Sequence, residues 1–213
     1  MQGIIGKKIG MTKMFSANVG VSVPVTVIQA GSNVVHQIKT KEIDGYSAVQ
    51  LGFDMVADKK VTKPLLGHFK KHNSSPTRVI KEFELDSAEE KLEPGQKIGV
   101  EVLENVKFVD VVGTTKGRGF SGGIKRHNFH RGPAAHGSKS IRVRGSSGAN
   151  TTPGSVKKGL KMEGHYGAAQ RTIRNLEVMA LDKENGLVMI KGAVPGPNKG
   201  IVYISKIMKK KLR

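Results

Sequence analysis

Along residues 1–115 the apolar side chains come in short runs, often at alternate positions. Val21, Val23, Val25 and Val27 alternate with Ser22, Pro24, Thr26 and Ile28, a β-branched stretch of near period-two spacing that predicts a strand. Pro24 has no N–H to give to a ladder, so this strand is expected at a sheet edge or with a bulge. Residues 34–38 and 48–53 predict two more strands, with Asp44-Gly45 as turn punctuation between them. Residues 79–85, 98–103 and 106–112 read as strands as well, the last ending at Gly113. Helical signals are best over residues 62–72. Thr62 or Lys63 would cap, Pro64 would occupy the first turn, and Lys70, Lys71 and His72 would sit at the C-terminal end. Residues 87–93 mix acids and lysine in a helix-like or turn stretch and read as solvated surface.

Strand patterning returns near the C-terminus. Residues 176–181 and 187–191 flank Asn185-Gly186, a strong hairpin signal. Pro195-Gly196-Pro197 then separates the hairpin from a strand at 201–207, and a basic tail of Lys209, Lys210, Lys211 and Arg213 follows. The pattern predicts a mainly β protein with minor α: an antiparallel barrel built from residues 1–115 and 171–213, with a small α/β insertion at about 55–95. Residues 116–170 form a long excursion between two strands of that body. The excursion is too long for an ordinary connection, and sixty residues from 116 contain twelve glycines. Its apolar residues are scattered and mostly small, so it is expected to be mobile when the chain is alone.

Charge sharpens this division. Residues 116–175 carry thirteen Lys and Arg and one acid, Glu163, whereas residues 1–115 carry 15 basic and 13 acidic groups and residues 176–213 carry 8 and 3. The formal net charge of +19 is therefore concentrated in one segment, which calls for a polyanion, and nucleic acid is the favoured one. The expected RNA-contacting residues are Lys116, Arg118, Lys125, Arg126, His127, His130, Arg131, His136, Lys139, Arg142, Arg144, Lys157, Lys158, Lys161, Arg171 and Arg174. Phe120, Phe129 and Tyr166 are interleaved with this charge and are placed either to stack on unpaired bases or to pack back on the protein.

Other chemistries find little support. Gly117-Arg118-Gly119-Phe120-Ser121-Gly122 matches a dinucleotide-binding pattern, but the continuation from Gly123 reads as non-helical, and Lys139, Arg142 and Arg144 follow where a ribose-binding acid is needed. His127, His130 and His136 lie among cations with no carboxylate nearby, so no metal is expected. Glu163 alone cannot form an acid–base pair, and the absence of Cys removes thiol nucleophiles and disulfides. No cofactor or small-molecule substrate is expected. Lys7 and Lys8 interrupt the N-terminal apolar run before it could serve as a secretory signal, and no apolar run approaches membrane-spanning length, so a cytoplasmic protein is expected.

Several motifs carry a family resemblance. Gly6-Lys7-Lys8-Ile9-Gly10-Met11-Thr12 with Pro24-Val25-Thr26-Val27-Ile28, Asp44-Gly45-Tyr46, and Lys63-Pro64 with Gly67-His68 resemble bacterial large-subunit ribosomal protein L-three. So do Val109-Asp110-Val111 running into Gly113-Thr114-Thr115-Lys116-Gly117-Arg118-Gly119-Phe120, and, beyond it, Lys125-Arg126, His136-Gly137, Thr152-Pro153-Gly154 and Lys191-Gly192-Ala193-Val194-Pro195-Gly196. The resemblance covers essentially the whole chain in order. It implies a translation-factor-like β-barrel on the ribosome and an internal extension threading large-subunit RNA toward the peptidyl-transfer centre. It also implies direct RNA binding, a role early in subunit assembly, and proteins L-fourteen and L-nineteen as neighbours. Two positions depart from the family pattern. Thr151 stands where some relatives carry a methylated glutamine, and His127 where an aromatic often follows the Lys-Arg pair. An RNA-modifying enzyme is the rival reading, but no convergent acid or nucleophile constellation supports it. A free nucleic-acid chaperone would require a looser composition in residues 1–115.

Overall fold

The computed structural model describes residues 1–15, 20–85 and 92–207; most of the expected surface stretch at 87–93 and the basic tail from Lys209 lie outside these. Twelve strands and three α-helices occur among the described residues. In chain order they are β1 (Gly3–Phe15), β2 (Ser22–Gln29), β3 (Asn33–Lys39), α1 (Lys41–Asp44), β4 (Ala48–Met55), α2 (Lys63–Lys71), β5 (Thr77–Glu84) and β6 (Lys97–Ile98). After these come β7 (Phe108–Thr114), β8 (Phe120–Ser121), α3 (Gly123–His127), β9 (Gly164–His165), β10 (Gln170–Asp182), β11 (Leu187–Lys191) and β12 (Ile201–Lys206). The chain divides into two compact units, residues 1–114 with 170–213, and residues 115–169.

The first unit is built on a closed antiparallel barrel of order β1-β12-β7-β10-β11-β2. Closure removes the sheet edges, which is how an all-antiparallel sheet satisfies every strand. Alternate residues point inward: Ile28, Val109, Val111, Val188, Ile190 and Ile204 are fully buried. Pro24 is tolerated without an edge strand. The β11 ladder stops at the Lys191–Val25 pair, so at Pro24 only β1 lies alongside, and the Pro24 carbonyl accepts from the Gly192 N–H. The expected hairpin forms between β10 and β11, closed by the Asp182–Leu187 pair, with Gly186 at φ +64° and the Asn185 side chain donating to Asp182 at 2.8 Å.

The N-terminal strand β1 has no clear signature in the sequence, because glycines and Lys7-Lys8 dilute its β-branched residues. Tertiary contact explains two of those glycines, Gly3 and Gly6. A Cβ on Gly3 would lie 2.3 Å from the Ile204 carbonyl oxygen, and one on Gly6 would lie 2.5 Å from the Ile28 side chain. Lys8 is buried, and its ammonium donates to the Val194 carbonyl at 2.8 Å. Asn33, fully buried, exchanges hydrogen bonds with Ile5 N–H and C=O and ties the start of β3 to the barrel.

A second sheet, β5-β4-β3-β6, packs with the barrel around one core that includes Val35, Val49, Leu51 and Phe83. The non-barrel elements therefore begin at β3, well before residue 55. The expected strand at 98–103 is corrected. After two residues of β6 the chain forms a 3-10 helix at Val100–Leu103, which buries Val100 and Leu103 at a three-residue spacing. The apolar residues at 98, 100 and 102 mimic period two. Helix α2 follows the expected signals: Thr62 is the extended N-cap residue, Pro64 sits in the first turn, and Phe69 is buried.

His36 lies at the irregularity that shifts the β3–β4 register between Val35 and Gln37. A bulge re-aims a side chain, and here the imidazole lies over Gly52 of β4. A Cβ on Gly52 would sit 1.9 Å from His36 Nε2. Nδ1 is 2.8 Å from the Ser74 hydroxyl and Nε2 is 2.8 Å from the Thr77 hydroxyl of β5. Ser74 also donates to the Phe69 carbonyl, so the imidazole joins β3, β5 and the end of α2. Burial lowers the His36 pKa from 6.5 to about 4, and His68 and His72 push it the same way.

Candidate nucleic-acid interface

Residues 115–169 hold fourteen of the sixteen expected RNA-contacting residues. Arg171 and Arg174 instead sit on β10 of the first unit. Arg171 pairs with Gly113 of β7, and Arg174 occupies the register shift between Ile173 and Leu176; both are exposed.

The second unit is rooted by pairing between its own two ends. Thr115 N–H donates to the Ala169 carbonyl at 2.9 Å, and Arg118 N–H to the Tyr166 carbonyl at 2.8 Å. Tyr166 N–H returns a bond to the Gly119 carbonyl at 2.9 Å, and β8 then pairs with β9. Gly167 is required in this root: its φ is +76°, and a Cβ there would lie 2.2 Å from the Lys116 carbonyl oxygen. The stretch from Gly123, which reads as non-helical, forms the five-residue α3, closed by Asn128 in the left-handed conformation. Asparagine tolerates that conformation and so can end a helix as glycine does. This helix does not restore a dinucleotide site. The strand before it pairs antiparallel with β9, whereas the dinucleotide unit needs a parallel βαβ crossover and a downstream acid.

Two basic side chains close the root. Arg126 donates to the Met162 carbonyl at 2.6 Å, and His127 Nε2 donates to the same oxygen at 2.9 Å. Arg126 and His127 therefore hold α3 against the returning strand, a role with no local sequence signal because Met162 is thirty-five residues from His127. The aromatics divide. Phe129 lies against Gly123, where a Cβ would come within 2.8 Å of its ring. The Arg118 guanidinium lies over the Tyr166 ring at 5.3 Å. Phe120 is 81% exposed and offers a free ring face.

Lys116, Arg118, Lys125, His130, Arg131, His136, Lys139, Arg142, Lys157, Lys158 and Lys161 are all exposed. Arg144 is half-buried, with one guanidinium nitrogen shielded and unbonded. Ion pairs between described residues join Lys39 to Glu82, Lys183 to Glu104 and Lys191 to Glu177, all in the first unit. The charge of residues 115–169 is thus displayed without internal neutralisation among the described residues. No three metal-binding side chains converge among the described residues, and no helix there is long and apolar enough to cross a membrane.

Together these features mark a mainly β barrel protein carrying a separate cationic unit whose charge is not neutralised internally among the described residues. The family described as Ribosomal protein L3 matches residues 77–186. The chain is 53% identical over 204 residues to large ribosomal subunit protein uL3 of Thermotoga petrophila, covering 96% of each chain. It is 50% identical over 210 residues to the uL3 protein of Heliobacterium modesticaldum, covering 99% of each. Against that of Picosynechococcus it is 49% identical over 203 residues, covering 95% of each. The chain belongs to the ribosomal protein L3 (uL3) family, a family of structural proteins, and is not an enzyme.

Proposed function

We propose that this protein is a structural constituent of the large ribosomal subunit in the cytoplasm, and that it binds large-subunit RNA directly through residues 116–174. Family membership supports the first part. The observation that carries the second is the displayed charge: eleven expected contact residues in the second unit are exposed, and its single acid is Glu163. Such a surface gains affinity by releasing the counterions condensed on RNA phosphates. Phosphate contacts position a protein but carry little sequence information, so recognition rests on RNA shape, with Phe120 free to stack on an unpaired base.

On this reading the barrel fixes the protein on the subunit, and the extension cements RNA helices, reaching toward the peptidyl-transfer centre. Binding occurs early in subunit assembly, and L-fourteen and L-nineteen are neighbours. Resemblance to the family supports these finer assignments. The native protein is expected to sediment with large subunits and to resist a high-salt wash. For the isolated protein, Lys157→Ala with Lys158→Ala should flatten the slope of log K against log salt by roughly 1 to 2. Lys41→Ala with Lys97→Ala should leave it nearly unchanged. Equal changes from the two pairs would overturn the assignment of RNA contact to the extension.

A further inference from the structure

The near neutrality of residues 1–115 conceals a second charge division. Residues 59–81 contain seven basic side chains and no acid, while the rest of 1–115 contains eight basic and thirteen acidic ones. Seven net charges in twenty-three residues is a denser excess than the twelve in sixty of the segment from 116. The stretch is folded on the barrel-bearing unit. Lys59 and Lys60 lie on a 3-10 turn, Lys63, Lys70 and Lys71 on α2, and Arg78 and Lys81 on β5. All seven are exposed, and none forms one of the ion pairs described above.

The fold also gives this charge a shape. A groove of about 570 Å³ lies between the end of β4, the turn before α2 and the start of β5, with Lys60 and Arg78 on its walls. Met55 and Leu65 line it too, 52% and 44% exposed, and Asp54 is its one acid. Cationic walls beside an open apolar floor suit an RNA strand, with phosphates on the walls and a ribose or base edge on the floor. An acidic protein partner is less well matched, because lysine is depleted at protein–protein interfaces and residues 59–81 carry six lysines.

We propose that the 59–81 face is a second RNA-binding surface, separate from residues 115–169, that takes an RNA backbone on Lys60, Arg78 and the lysines of α2. It rests on the reading that RNA is this protein's partner. The test uses the full-length protein and deproteinised large-subunit RNA, titrated with salt. Lys60→Gln with Arg78→Gln should flatten the slope of log K against log salt by about 1.4 to 1.8, the worth of two phosphate contacts. Lys59→Gln with Lys63→Gln should flatten it as well, and both losses should add to that of the Lys157/Lys158 pair. An unchanged slope for both pairs from residues 59–81, with the Lys157/Lys158 slope flattened, overturns this inference and leaves the extension reading standing. If all three pairs leave the slope unchanged, both readings fail. Normal RNA slopes with defective incorporation into subunits would assign the face to a protein partner and overturn the RNA assignment.

Discussion

In the barrel, β7 is paired on both sides, with β12 and β10, and Val109 and Val111 are fully buried. In residues 115–169, β8 and β9 share two residue pairs, and the buried residues are Ser121 and Gly123. The first region is ordered by area removed from water, worth about 25 cal/mol per Å² of apolar surface. The second is ordered by a few backbone pairs, by Arg126 and His127 on one carbonyl, and by glycines that allow close approach. Val143 and Val156 are 67% and 49% exposed there, so hydrophobic burial contributes little. One chain thus combines a region that carries its own stabilisation with one whose surface is arranged for a partner's charge.

Core truncation breaks the comparison most strongly. Leu51→Ala or Ile204→Ala, each at a fully buried position, should destabilise the protein by about 2–5 kcal/mol in chemical denaturation. A loss below about 1 kcal/mol would mean the core is looser than its burial implies.

Acid comes next, and acts on the body through His36. Its folded pKa of about 4 lies below the ordinary 6.5, so between those values the unfolded chain binds a proton that the folded chain refuses. Stability contributed by the neutral imidazole is complete above pH 6.5 and is lost as pH falls toward 4, by about 3 kcal/mol in all. Glu82, held below its usual range chiefly by Lys39, contributes only at lower pH. Denaturation midpoints measured from pH 7 to 4.5 that stay flat would contradict the burial of His36.

A smaller effect sharpens the picture of the extension. Amides at 131–161 should exchange far faster than those of the barrel strand β10, with the root at Tyr166 and Arg118 in between. Arg126→Ala should cut protection at Tyr166 about fivefold, equivalent to about 1 kcal/mol for one hydrogen bond, without moving the global midpoint. Protection across 131–161 equal to that of β10 would show that the extension holds itself together. The smallest change is expected from Val143→Ala with Val156→Ala, within about 0.5 kcal/mol, because both side chains stay exposed in the folded chain.

Alternation at 21–28, the short apolar runs at 48–53 and 187–191, the Pro64 start of α2 and the Asn185-Gly186 turn were legible in the sequence because each is a local preference of neighbouring residues. The partition of charge was equally legible, since it needs only counting, although averaging over residues 1–115 hid the basic run at 59–81. Tertiary structure alone decided which segments meet. Barrel closure turned a glycine-rich, lysine-bearing N-terminus into β1, because Gly3 and Gly6 admit neighbours that a side chain would exclude. Tertiary contacts elsewhere buried Lys8 against carbonyls distant in the chain, carried His36 over Gly52 to Thr77, and brought Arg126 and His127 to Met162. Periodicity reports how each residue faces water; it carries no information about which distant carbonyl or glycine will stand opposite once the chain has closed.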